Sequence, residues 1–279
     1  MIIDAHHHFW TADYAWLADP SLAAIRRDYT IANLRPLLRE AGVDHTVLVE
    51  AGRGDNAETS EFLALADKTP EIAGVTGWAS LTDPDLAGTL ARYRAGPGGH
   101  LLVAIRDQIQ AYPDDHLDRA DVRAALATVA AAGLVNEVVV RVTQLPSLAR
   151  AAAALPESTF VLDHLGKPRV TAGADGIRQW HELIAPVAAL PNVVAKMSGL
   201  VAEANWATWT PADLRPFVLI AIDLFGTDRL MFGSDWPVCE VAASYAQVKN
   251  AVVDIFGGMP ADVFAETAIR TYRLELGDA

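Results

Sequence analysis

Met1-Ile2-Ile3-Asp4-Ala5-His6-His7-His8-Phe9-Trp10 opens the chain, and Thr11-Ala12-Asp13-Tyr14-Ala15-Trp16 follows it. The apolar start and the alternation after it predict a buried strand over residues 2–9. Side chains on a strand repeat every two residues, so a regular strand puts Asp4, His6 and His8 on one face and His7 on the other. Two imidazoles on one face can chelate a divalent metal or line a polar pocket. The residues after the strand contain no glycine and cannot cradle a pyrophosphate. An open doubly wound sheet usually carries a Gly-rich phosphate loop at that place.

Seven further strand-like runs lie outward from this one, at residues 45–50, 72–79, 101–106, 135–141, 159–164, 193–197 and 230–235. They are rich in β-branched residues and bounded by Gly or Pro. Helical patterns fill most gaps, at 30–41, 56–68, 85–93, 121–132, 147–154, 177–190 and 211–225, and a last one at 260–276 closes the chain. Thr210-Pro211 reads as a cap followed by proline at the first helical position. Eight β-then-α units predict an α/β fold: a (β/α)8 TIM barrel, one domain over residues 1–279. The open doubly wound sheet is the competing architecture.

The chain has 279 residues, 52% of them hydrophobic, which is enough for a large core. A net charge of −13 argues against nucleic acid or an anionic membrane as partner. The lone Cys239 excludes an intramolecular disulfide framework and suggests a reducing compartment. With no signal-like start and no apolar run approaching ~20 residues, a soluble cytoplasmic protein is expected. Nothing in the sequence fixes an oligomeric state.

In a barrel the active site forms at the C-terminal ends of the strands. Those ends offer His6 and His8, Glu50 and Arg53, Trp78, Arg106 and Asp107, Arg141, Asp163 and His164, Lys196 and Ser198, and Asp235 with Trp236. Ionisable groups there cost burial energy unless partnered, so this many on one rim suggests a polar reaction site. Plainer roles compete: Glu50 pairing with Arg53 or Arg106, Lys196 reaching to solvent, Arg141 acting structurally, Trp78 packing. Asp163, next to His164, is expected to face away and serve a structural hydrogen bond. Asp235, in Gly233-Ser234-Asp235-Trp236-Pro237, is the hardest to dismiss.

Asp4-Ala5-His6-His7-His8-Phe9-Trp10 resembles the opening of the amidohydrolase superfamily. Val161-Leu162-Asp163-His164-Leu165-Gly166-Lys167-Pro168 and Phe232-Gly233-Ser234-Asp235-Trp236-Pro237 narrow the resemblance to the amidohydrolase-2 group. Within it the chain is most similar to the branch of sugar lactonases and of sulfomuconolactone and pyrone-dicarboxylate lactonases. Ala73 to Leu81 and Lys196-Met197-Ser198-Gly199-Leu200 also look like that branch.

The resemblance implies a hydrolase that opens the ester bond of a lactone. A sugar-acid lactone, such as a 6-deoxy-sugar lactone, is favoured over a carboxylated lactone from aromatic degradation. By position it makes Asp235 the base that activates water, with His6, His8 and His164 around the carbonyl. It also implies one divalent metal, Zn²⁺, on His6, His8, His164 and Asp235, although some relatives work without metal. Arg53, Arg106, Glu50, Lys196, Trp78 and Trp236 are expected to bind substrate, with Trp10 as a further aromatic wall. The segment 205–209 is a candidate lid. Asp107 stands where many relatives have histidine. A metal-dependent decarboxylase of the same superfamily and a non-catalytic sugar-acid binder are the alternatives.

Overall fold

The computed structural model describes residues 1–276. Eight strands form one parallel sheet in chain order: β1 (Ile3–His7), β2 (His45–Val49), β3 (Ile72–Trp78), β4 (Leu102–Asp107), β5 (Val135–Val138), β6 (Phe160–Leu162), β7 (Val193–Met197) and β8 (Leu230–Phe232). Main-chain contacts close the ring between its two ends. Asp235 N–H donates to the His6 carbonyl at 2.8 Å, and His8 N–H to the Trp236 carbonyl at 2.7 Å. A doubly wound sheet would leave two open edges, so the fold is the (β/α)8 barrel.

The helices around it are α1 (Ile31–Ala41), α2 (Asn56–Ala66), α3 (Leu86–Ala95), α4 (Ala120–Ala131), α5 (Leu145–Ala154), α6 (Gly173–Ala188), α7 (Pro211–Phe225), α8 (Tyr245–Phe256) and α9 (Thr267–Tyr272). Strands buried on both faces read as apolar runs, which is why they are visible in the sequence. One core lies between strands and helices. A second fills the barrel's lower interior with Ile3, Val47, Val49, Ala104, Val161 and Met231, and Tyr272 of α9 packs with it.

The sequence pattern misses α8. Its signals are present: Ser244 and Gln247 form a capping box, and Gly257 ends the helix at φ +69. Among the described residues no helix is long and apolar enough to cross a membrane.

Candidate active site

The site begins with an irregularity in β1. The register against β2 shifts between Asp4 and His7, a bulge of the kind that re-aims side chains. A regular strand would keep Asp4 with His6 and His8. Instead Asp4 accepts from the Ser234 hydroxyl at 2.6 Å and from the Tyr245 hydroxyl of α8 at 2.9 Å, tying β1 to the turn after β8. His6 and His8 bring their Nε2 atoms within 3.1 Å of each other. His8 Nδ1–H donates to the Val49 carbonyl at 3.0 Å. Asp235 Oδ1 lies 3.4 Å from His8 Nε2 and 3.7 Å from His6 Nε2. It is buried and has no hydrogen-bond partner.

Asp235 and His164 both follow strands that end earlier than the sequence suggests. β8 stops at Phe232 and β6 at Leu162. Both residues then take left-handed backbone, with φ +55 and +53. That conformation is uncommon outside glycine and is met at functional turns. His164 Nδ1 is 2.8 Å from Ser198 Oγ. Burial pushes His164 down to about 4, so its ring is neutral at pH 7. Burial works against the Asp235 charge, but His164 and His8 beside it hold the carboxyl below its ordinary value.

Below these groups lies a buried layer of charge. Arg106 donates through Nε to Glu50 at 2.5 Å and through Nη1 to Asp163 at 2.8 Å. Lys196 Nζ lies 2.7 Å from Glu137 Oε1, 3.4 Å from Asp163 Oδ1 and 3.1 Å from His6 Nδ1. The Tyr272 and Thr76 hydroxyls donate to the other oxygen of Glu137, at 2.6 and 2.9 Å. Burial opposes the Asp163 charge, yet Lys196, His6 and Arg106 keep the carboxyl well below its usual range. Burial pushes Glu137 up and His6 well down.

Above the histidines opens a cavity of about 380 Å³, within the usual range for small-molecule sites. His8, His164 and Asp235 form its floor with Arg106. Trp10 and Trp16, edge to face at 5.0 Å, make one wall. Gln108, Gln110, Lys167 and Glu203 make the polar wall. A larger cavity of about 860 Å³ sits at the opposite end, around the strand starts at His45, Ile72 and Leu101, away from this chemistry.

The profile for the amidohydrolase family matches residues 3–274. The chain belongs to the amidohydrolase family. It is 38% identical to an L-fucono-1,5-lactonase of Burkholderia multivorans, covering 90% of this chain and 86% of that one. An L-fucono-1,5-lactonase of Burkholderia ambifaria is 34% identical, over 87% and 82% of the two chains. Among solved structures, an amidohydrolase from B. multivorans with bound zinc superposes with a TM-score of 0.92 at 35% identity, covering 99% of this chain and all of that one.

The donor atoms of this amidohydrolase suit a divalent cation. His6, His8 and Asp235 each offer a ligand atom within 4.8 Å of the others, two imidazoles and a carboxylate. The unpartnered Asp235 Oδ1 is the kind of buried atom that such an ion satisfies. His164 does not join that set; it groups with His6 and Asp163 instead.

Several expected substrate contacts fall elsewhere. Glu50 and Lys196 are buried beneath the floor and do not line the cavity. Arg53 lies between Gly52 and Gly54, both with positive φ, and turns away to pair with Asp55 and Glu61. The Trp78 carbonyl accepts from Thr59 and Tyr93, which draws the end of β3 toward α2 and α3 rather than the cavity. Trp236 is core: it packs on Phe9 and Tyr29, and its Nε1–H donates to Glu240. Arg141 lies beyond the end of β5, exposed, and pairs with Asp114. Asp163 does not face away, because the left-handed turn at His164 leaves it beside Arg106, Lys196 and His6. Asp107 accepts from the Leu81 and Gln108 N–H groups and ties two loops together. Trp206, Ala207 and Trp209 of segment 205–209 line a separate pocket and not the cavity above the histidines. Sequence reasoning missed Trp16, Gln108, Gln110, Lys167 and Glu203; the only hint was their place a few residues past strand ends.

Proposed function

We propose that this amidohydrolase opens the ester bond of an uncharged sugar-acid lactone in the cavity above His6, His8 and Asp235. One observation carries the choice of an uncharged substrate. Two cations reach the cavity, and both are already engaged. Arg106 is paired to Glu50 and Asp163, and Lys167 donates to Gln110 at 2.6 Å and faces Glu203 at 3.9 Å. A dicarboxylate needs free guanidinium or ammonium groups. The ring hydroxyls of a sugar acid instead match the Gln108, Gln110, Lys167 and Glu203 wall, and the tryptophans match its apolar face. The names of the two Burkholderia relatives agree with this choice.

Lactone hydrolysis must take a proton from water, stabilise the carbonyl oxygen and protonate the leaving alkoxide. Asp235 is the base: its carboxyl is held ionised and lines the cavity floor, with Oδ1 turned to His6 and His8. As water attacks the carbonyl carbon, Asp235 takes its proton. When the ring C–O bond breaks, the same carboxyl returns that proton to the alkoxide. Neutral His164, anchored at Nδ1 by Ser198, offers its second nitrogen to the carbonyl oxygen. His6, His8 and Asp235 would hold a divalent cation, which we take to be zinc, and when bound it supplies Lewis-acid polarisation.

Proton release from a panel of lactones tests the reading. L-fucono-1,5-lactone and other sugar-acid lactones are expected to be hydrolysed by the purified protein, and a dicarboxylate lactone is not. Turnover of the dicarboxylate alone, or of nothing in the panel, overturns it.

A further inference from the structure

We propose that Lys196 and Asp163 compete for Nδ1 of His6, and that this competition decides which ring nitrogen carries the hydrogen and so whether His6 can ligate a cation. Lys196 is then a positioning residue that acts through His6, not a substrate contact. The inference rests on the reading of His6 as a ligand in the proposed site.

Two fixed ends orient the hydrogens between them. At one end stands a carbonyl, which can only accept. His8 Nδ1 lies 3.0 Å from the Val49 oxygen and must donate to it, so in the neutral ring His8 Nε2 holds a lone pair. His6 Nε2 faces that lone pair at 3.1 Å and, at the longer distance of 3.5 Å, the Arg106 Nη1 donor. Two lone pairs facing each other at 3.1 Å repel, and the Arg106 contact at 3.5 Å is at the limit of a hydrogen bond, so His6 Nε2 carries the hydrogen. At the other end stands an ammonium, which can only donate. Lys196 Nζ reaches His6 Nδ1 at 3.1 Å, and that nitrogen is free to accept. The chain from Lys196 through His6 and His8 to Val49 is therefore directional, with Arg106 and Asp235 beside it at 3.4 to 3.7 Å. In this arrangement His6 has no lone pair for a cation.

A second arrangement is already built. Asp163 Oδ1 lies 3.3 Å from the same His6 Nδ1, is buried, and has no hydrogen-bond partner. If Nδ1 carries the hydrogen and donates to Asp163, Nε2 gains a lone pair. His6, His8 and Asp235 then present two nitrogens and an oxygen together. Both forms of the ring are neutral, so no net charge moves. Lys196 keeps Glu137 at 2.7 Å in either form and can release His6 without being stranded. A carboxylate behind a histidine ligand is a familiar way of fixing its tautomer. Here an ammonium contests the same atom, so Lys196 opposes cation binding and Asp163 favours it.

Two-bond ¹H–¹⁵N spectra of the full-length protein labelled with ¹⁵N-histidine test this, with His6 assigned by its loss in His6→Asn. After chelator treatment the expected His6 hydrogen is on Nε2, and zinc moves it to Nδ1. In Lys196→Met, where Asp163 faces Nδ1 without a competitor, the share of His6 with its hydrogen on Nδ1 is expected to rise before zinc is added. Zinc, titrated against a chromophoric chelator, should bind that variant at least tenfold more tightly. A His6 hydrogen on Nδ1 in the chelator-treated wild type overturns the proposal, as does zinc binding that leaves it on Nε2. If Lys196→Met does not fold, the wild-type spectra decide alone. None of these readings depends on lactone turnover, so failure of the lactonase reading is seen separately.

Discussion

Asp235 sits at φ +55, a conformation asparagine also tolerates. Asp235→Asn should therefore keep the fold while removing the base. The expected loss in kcat is ~10²–10⁴-fold, the range for general base catalysis, with KM little changed and the melting temperature near wild type. Steady-state kinetics beside a thermal melt checks it, and a kcat within threefold of wild type would remove Asp235 from the mechanism. At this scale the sequence is legible where chemistry is rare. Histidines and a carboxylate at strand ends stand out because their burial needs a reason. Lys167, Glu203 and Gln110 do not stand out, since such residues on loops are ordinarily solvated, and only the folded course of the loops turns them onto one cavity. Asp163 and Lys196 lie between these cases. Their types are visible, but their place beneath the floor depends on a turn and a bulge that a regular pleat does not contain.

Between β1 and α1 the chain makes two short helical turns, Ala15–Ala18 and Pro20–Ile25. They present Trp16 to the cavity, and the connection is clamped at three points. Trp16 Nε1–H donates to the Ala51 carbonyl at 2.8 Å, the Tyr14 hydroxyl donates to Glu58 at 2.7 Å, and Trp10 exchanges main-chain bonds with Tyr29. The tryptophan wall is thus a rigid part of the site. Trp16→Ala should raise KM for a sugar lactone about tenfold, equivalent to ~1.4 kcal/mol, and leave kcat within twofold. Such a loss lies near the upper end for an aromatic contact. An unchanged KM would mean that substrate does not touch this wall. The elements themselves were legible because barrel strands are continuous apolar runs and helices carry caps. The connections were not: they have no periodicity, and their shape is set by clamps such as Tyr14 on Glu58, 44 residues apart.

Across the whole molecule, burial moves titratable groups in opposite directions, and the consequences meet in one pH window. His7 is fully buried, bonded at Nε2 to Thr46 and unpartnered at Nδ1. Burial pushes it from 6.5 down to about 3. Between those values the unfolded chain binds a proton that the folded chain refuses. His7 therefore makes stability rise with pH there, fully present above 6.5 and lost as pH falls toward 3. Glu58 has the opposite sign: burial, aided by Glu50, raises it from 4.5 to about 7, so its contribution is present at low pH and is lost as pH rises through that interval. The two nearly cancel between pH 5 and 6, where each corresponds to about one proton, or ~1.4 kcal/mol per pH unit. Substituting one side uncovers the other. In His7→Gln, urea unfolding at pH 5 and pH 6 should show a slope of stability against pH that is more negative than wild type by about 1.4 kcal/mol per unit. Equal slopes in the two proteins would mean that His7 is protonated in the folded barrel, and that its orphaned Nδ1 finds an acceptor there.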